Sequence, residues 1–211
     1  MPNYLKEADW KAVLEKPKNL GLKAQKTGIS EKLRDLDKAE KAFHNAEDIT
    51  NADKVLSALT QLKSTAEAQS KKHKAFSEAT AYMTEIVKAC GVRTGVVNQK
   101  KVEINGLIQL LAEMKETCET ALKLLDVITS AATFKNKSGG SLHECIVKLM
   151  KAGKFKAVKG GDMATLNNRL MADLDKATDE NLKERKADVK KALGNVKAQL
   201  ASAKVTELSG Y

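Results

Sequence analysis

The chain has little of what breaks helices and little of what fills a thick core. Its only two prolines, Pro2 and Pro17, stand near the start, so everything after Lys18 runs free of the ring that removes a backbone donor and clashes with the preceding turn. Phe, Trp and Tyr together make up 4% of 211 residues, with one Trp, so any core has to come from Leu, Val, Ile, Met and Ala. With Ala, Leu, Lys and Glu recurring, this is the composition of long helices rather than of a mixed sheet. Cys90, Cys118 and Cys145 are odd in number, widely spaced and without a CxxC pair, so neither a disulfide framework nor a zinc knuckle is indicated. No apolar run approaches the roughly 18 residues of a membrane span, and the opening MPNYLKEADW has no apolar signal core. The expected setting is the reducing cytoplasm, or a larger particle assembled from it.

What is abundant is charge, unevenly spread. The formal net charge is +10, and residues 133–161 hold Lys135, Lys137, Lys148, Lys151, Lys154, Lys156 and Lys159 against Glu144 alone, a balance of +6. The other 30 basic and 26 acidic residues supply the remaining +4. Most of the chain is therefore a charge-mixed solvated surface, and one short segment concentrates cations that attract an anionic partner at low salt.

Apolar periodicity predicts an all-α fold, an elongated helical bundle organised around a long antiparallel, coiled-coil-like hairpin. Residues 3–16 read as a short amphipathic helix with Leu5, Trp10, Val13 and Leu14 as docking residues, ended by PKNLGLKAQKTG. Ser30 is placed to cap a helix striped by Leu33, Leu36, Ala39, Phe43 and Ala46, and Thr50 with Asp53 fits a capping box that restarts it near Asn51. A heptad seam then runs through Ala52, Val55, Leu59, Leu62, Ala66, Gln69, His73, Phe76, Thr80, Met83, Val87 and Cys90. A second seam continues through Val97, Lys100, Ile104, Leu107, Leu111, Met114, Cys118, Ala121, Leu125, Ile128 and Ala132. The glycines of GVRTG at 91–95 predict the turn between them, setting Val87 against Lys100, Phe76 against Leu111 and Leu62 against Leu125. The second rod carries more leucine than the first can cover. At about 25 cal/mol per Å² of apolar surface, that excess demands a third element, from residues 31–49, the C-terminal helix or a second subunit. The expected organisation is 1–30 as N-terminal helix and linker, 31–133 as bundle core, and 134–211 as basic joint region and C-terminal helices.

FKNKSGGSL at 134–142 and FKAVKGGDM at 155–163 repeat one pattern. A glycine-rich approach to a helix N-terminus flanked by lysines suits a phosphate. Ser141 and Asp162, however, sit where caps belong, and there is no GxxxxGK[ST], so the favoured reading is two helix joints anchored by Phe134 and Phe155. Between and after them, Leu142, Ile146, Leu149 and Met150, then Leu166, Leu170, Met171 and Leu174, mark two short helices, and Leu182, Val189, Leu193, Val196 and Leu200 mark a last one over residues 178–205. The joint is too long for a helix-turn-helix reader of bases. His143 and Cys145 point about 200° apart on a helix and do not share a metal. His73, with Met114 and Cys118 roughly opposite, is a packing device rather than a nucleophile pair, and KKHK at 71–74 is a solvated face.

No cofactor, metal or catalytic residue is expected. The reading is a non-enzymatic structural or protein-interaction subunit: a scaffold, an adaptor or a virus-particle-like component. Its partners are proteins or further copies of itself, contacted through Leu107, Leu110, Leu111, Leu122 and Leu124, with Trp10 anchoring the N-terminal helix. The alternative is a sequence-independent nucleic-acid binder using the seven lysines of the basic segment.

Overall fold

Gly28 has φ of 75°, the one positive value among the described residues, and this left-handed residue starts the first long helix without a side-chain cap. The computed structural model describes residues 3–155 and 158–203, all of whose regular structure is helical: α1 (Glu7–Leu14), α2 (Leu20–Lys23), α3 (Ile29–Asn45), α4 (Ile49–Lys72), α5 (Ser77–Asp126), α6 (Ala131–Gly139), α7 (Ser141–Met150), α8 (Gly160–Lys176) and α9 (Leu182–Ser202). The all-α bundle built on an antiparallel hairpin is borne out, with α5 packed against α4. Two compact units divide within α5, residues 1–105 and 106–211.

In the first unit α3 and α4 run antiparallel, with Lys32 Nζ 3.0 Å from Gln61 Oε1. Their connection is tied by two side chains. Asp48 Oδ1 accepts from the Asn51 backbone N–H at 2.7 Å, capping α4, and the Asn51 amide donates to the Ala46 carbonyl at 3.1 Å, closing α3. Asp48 is therefore the cap, not Thr50 with Asp53, and Ser30 lies inside α3. The buried stripe of α4, Ala52, Val55, Leu59, Leu62 and Ala66, keeps the expected spacing.

The turn of the hairpin is elsewhere than expected. GVRTG is helical, one part of the 50-residue α5, and the chain reverses instead at His73–Phe76. Val87 and Lys100 therefore share a helix, and Leu62 and Leu125 belong to different units. Lys101 bonds Asp53, Lys63 acts on Cys90, and Glu67 shares a cleft with Thr84 and Val87, so positions advancing along α4 meet positions receding along α5. Lys71 and Lys72 end α4 and Glu78 begins α5, each charge complementing the helix dipole beside it. Trp10 of α1 is fully buried with its ring centroid 5.7 Å from Tyr82, which Tyr4 meets edge-on at 5.1 Å. Gly21 lets α2 approach closely, since a Cβ there would stand 3.3 Å from the Phe76 ring.

The second unit has one contiguous core, from Leu111, Met114, Cys118, Ala121 and Leu125 of α5 through Phe134, Leu142, Ile146, Leu149, Phe155, Leu166 and Leu170 to Val189, Leu193, Val196 and Leu200. The side chains of Met171 and Leu174 lie outside what is described. Helix α9 runs antiparallel to α5, fastened by Lys197–Glu119 at 3.2 Å, Lys190–Asp126 at 3.0 Å and Lys186 Nζ donating to the Ile128 carbonyl at 2.6 Å. Leu107, Leu110, Leu122 and Leu124 pack half-buried against this core, so the leucine excess of α5 is covered within the chain, with the C-terminal helix taking part. Phe134 and Phe155 are buried as anchors, but FKNKSG is helix and Gly140 alone joins α6 to α7; a Cβ there would stand 3.2 Å from the Asn136 carbonyl. Neither Ser141 nor Asp162 caps: both lie within their helices, and Asp162 accepts from Gln199 at 2.6 Å.

A continuous α5 makes Gly91 and Gly95 helix-interior residues whose added Cβ would meet nothing within 4 Å. Gly91→Ala and Gly95→Ala are each expected to raise stability by about 0.5–1 kcal/mol in urea denaturation; a loss at both positions would indicate a turn there.

Candidate interaction surfaces

The apolar residues expected to meet partners differ in exposure. Trp10 is fully buried and Leu111 nearly so, while Leu107, Leu110, Leu122 and Leu124 are half-buried against the second unit's core. The large apolar side chains left in solvent include Val92 (73% exposed), Val96 (47%) and Val102 (66%), all on α5. Around them Gly91, Gly95, Asn98 and Gln99 are exposed too. At 100° per residue, Gly91, Val92, Gly95, Asn98, Gln99 and Val102 fall on one side of the helix, an uncharged face in a chain with 30% charged residues.

The charges that interrupt this stretch are turned to other partners. Arg93 reaches α3, its Nε donating to Glu40 Oε1 at 2.7 Å and its second nitrogen to Oε2, a bidentate pair that holds the guanidinium above its usual range through hydrogen bonding. Lys101 bonds Asp53, and Lys100 lies 3.3 Å from Glu103. Beside the face a groove of about 700 Å³, lined among others by Phe43, His44, Glu47, Arg93, Val96 and Val97, runs between α3 and α5. The two glycines of GVRTG read as a turn, and a turn offers no such face. The readable signal was an eight-residue window with two glycines and three valines but one charge, Arg93.

Compared with family models, curated proteins and solved structures, the chain matches none. Its chemistry is therefore read from geometry alone.

Of the basic segment, Lys135, Lys148, Lys151 and Lys159 are exposed and Lys137 is half-buried. Lys156 lies outside the described residues, as does the Lys154 side chain. Among the described residues no carboxylate pairs with these five lysines, whereas Lys190 and Lys197 of α9 are both paired. His143 and Cys145 are half-buried, and no group of three or more His, Cys, Asp or Glu among the described residues is placed to hold a metal. His73 caps α4 at the hairpin turn with its ring 3.0 Å from Gln69 Oε1, while Met114 and Cys118 sit in the other unit's core. No described helix is long and apolar enough to cross a membrane.

Burial pushes the Cys90 and Cys118 thiols from an ordinary 9.0 up to about 11. The folded thiols hold their protons at a pH where the unfolded ones lose them, so their contribution to stability is complete below about pH 9 and is lost as pH rises toward 11. Denaturation midpoints at pH 8 and pH 10 should fall less in a Cys90→Ala, Cys118→Ala variant than in the parent; equal falls would show that the two sites carry none of the alkaline loss.

Proposed function

We propose that the chain is a non-enzymatic structural or protein-interaction subunit of a larger assembly, and that it associates through the uncharged α5 face of Gly91, Val92, Gly95 and Val102. The observation that carries this reading is the exposure of these residues together. Each helix-interior glycine costs about 1 kcal/mol relative to Ala, and nothing among the described residues approaches either one closely enough to need it. A missing side chain that serves no internal contact suits the close approach of another backbone. Valines on a desolvated face supply apolar area without charged groups to strip of water.

Val92→Lys with Val102→Lys is expected to leave the fold unchanged, because surface substitutions shift stability by only about 0.5 kcal/mol. It should also abolish the oligomer or complex formed by the parent, measured by light scattering and by pull-down. A parent that stays monomeric and joins no complex would sink the reading, as would a variant that associates as well as the parent.

A second reading is favoured by the unpaired lysines of α6, α7 and the approach to α8: electrostatic, sequence-independent binding of nucleic acid. Four phosphate contacts imply a salt slope of about −3.6, so a fourfold rise in salt should weaken duplex binding roughly a hundredfold. Gln at Lys135, Lys148, Lys151 and Lys159 should flatten that slope; an unchanged slope removes these lysines from the interface.

A further inference from the structure

Helices α8 and α9 run antiparallel, with Gln199 Nε2 donating to Asp162 Oδ2 at one end of the pair. Further along, Thr165 and Arg169 stand one turn apart on α8 and share a groove of about 210 Å³ with Asn195 and Lys191, one turn apart on α9. Ala192 completes the wall together with Asp162. Four of the six lining side chains are hydrogen-bond donors, two of them cations, and they come as facing i, i+4 pairs.

The two cations lack ion pairs: among the described residues neither Arg169 nor Lys191 has a carboxylate partner, although Lys186, Lys190 and Lys197 of the same α9 are all engaged by α5 or its C-terminal turn. Two like charges lining one groove repel each other, and an anion between them reverses the sign of that interaction. Asp162, the one acid lining the groove among the described residues, lies two turns from Arg169 along α8 and is held by Gln199, so it marks the opposite end and disfavours an anion there.

The geometry points to a site for one phosphate group at the Arg169–Lys191 end of this groove, taken as a phosphate monoester. Arg169 offers two parallel donors to a pair of phosphate oxygens, Lys191 a compact charge from the facing helix, and Thr165 and Asn195 a hydroxyl and an amide for the remaining oxygens. The volume is below the roughly 300 Å³ at which pockets for whole small molecules begin, so the groove takes the phosphoryl end and leaves the rest of the ligand outside. A monoester near neutral pH carries close to two negative charges, matching the two cations; a phosphodiester carries one and leaves a cation unbalanced.

The site is independent of both readings above, since it uses neither the α5 face nor the lysines of residues 135–159. Full-length protein is titrated calorimetrically with methyl phosphate and with dimethyl phosphate, ionic strength held constant with sodium chloride. Methyl phosphate should bind at one per chain and dimethyl phosphate at least tenfold more weakly. Arg169→Gln with Lys191→Gln should weaken methyl phosphate at least tenfold, while Lys148→Gln with Lys151→Gln leaves it unchanged; circular dichroism confirms that both variants are helical. No binding by the parent, equal binding of the two probes, or full binding by the Arg169→Gln, Lys191→Gln variant would each overturn the assignment. Equal binding together with tight, competitive binding of a DNA duplex would assign the groove to nucleic-acid backbone instead.

Discussion

The two-pronged hydrogen bond from Arg93 to Glu40 sits where the path of the chain is decided. Local preference at GVRTG favours a break, because two glycines in a helix interior cost about 2 kcal/mol relative to alanine. Against that stand Cys90 and Val97, buried seven residues apart on the same face of α5, and a guanidinium fork tied to α3 between them. Apolar burial of a side chain is worth about 1.5–3 kcal/mol, and a charge-assisted pair with both partners half-buried adds to it, so packing outweighs the glycines. Because α5 continues, its later residues are delivered to a second core, and the boundary between units falls inside a helix rather than in a loop.

Most of the helices were legible because the rule that made them is local: apolar residues at steps of three and four. Position within the fold was less so. Met83, Cys90, Val97, Ile104, Leu111, Cys118 and Leu125 hold one seven-residue phase through GVRTG, which a turn has no reason to preserve. Phase alone does not settle the matter, since Leu62, Gln69, Phe76 and Met83 hold it through the real turn as well. What distinguishes the two places is charge polarity. Lys71 and Lys72 precede the reversal, Lys74 lies within it and Glu78 follows it, the order that suits one helix ending and the next beginning. Caps were misplaced for a related reason. Ser30, Thr50, Ser141 and Asp162 all have the right chemistry, but capping is decided by where packing lets the helix start, and the first of these helices starts from Gly28.

Apolar area is subject to the same limit. Abundant leucine on one helix states that apolar area must be covered, but not whether the cover lies in the same chain. Here the helices of the second unit supply much of it: Leu111 is core, and Leu107, Leu110, Leu122 and Leu124 are half-buried against it. The α5 valines carry less apolar area each and were not conspicuous by hydrophobicity. They stand out only once burial is known, together with glycines that no described neighbour approaches. An exposed face is thus better signalled by the absence of charge between exposed positions than by the sum of apolar residues.

Charge divides by a similar criterion. The net +10 is not one property of the surface, because a lysine opposite a carboxylate or a helix carbonyl serves the fold, and a lysine without one sets the chemistry of what approaches from outside. Lys186, Lys190 and Lys197 fasten α9 to α5 and its C-terminal turn, whereas Lys191, one position from Lys190, faces the groove with Arg169. Helical geometry alone, 100° per residue, separates these roles. Dispersed cations such as Lys135 and Lys148 act through a field that salt screens within about 8 Å at physiological ionic strength. Arg169 and Lys191 instead line one groove from two facing helices, so their charges bear on the same small volume. Placement, more than number, therefore sets what each basic region of this chain is able to select.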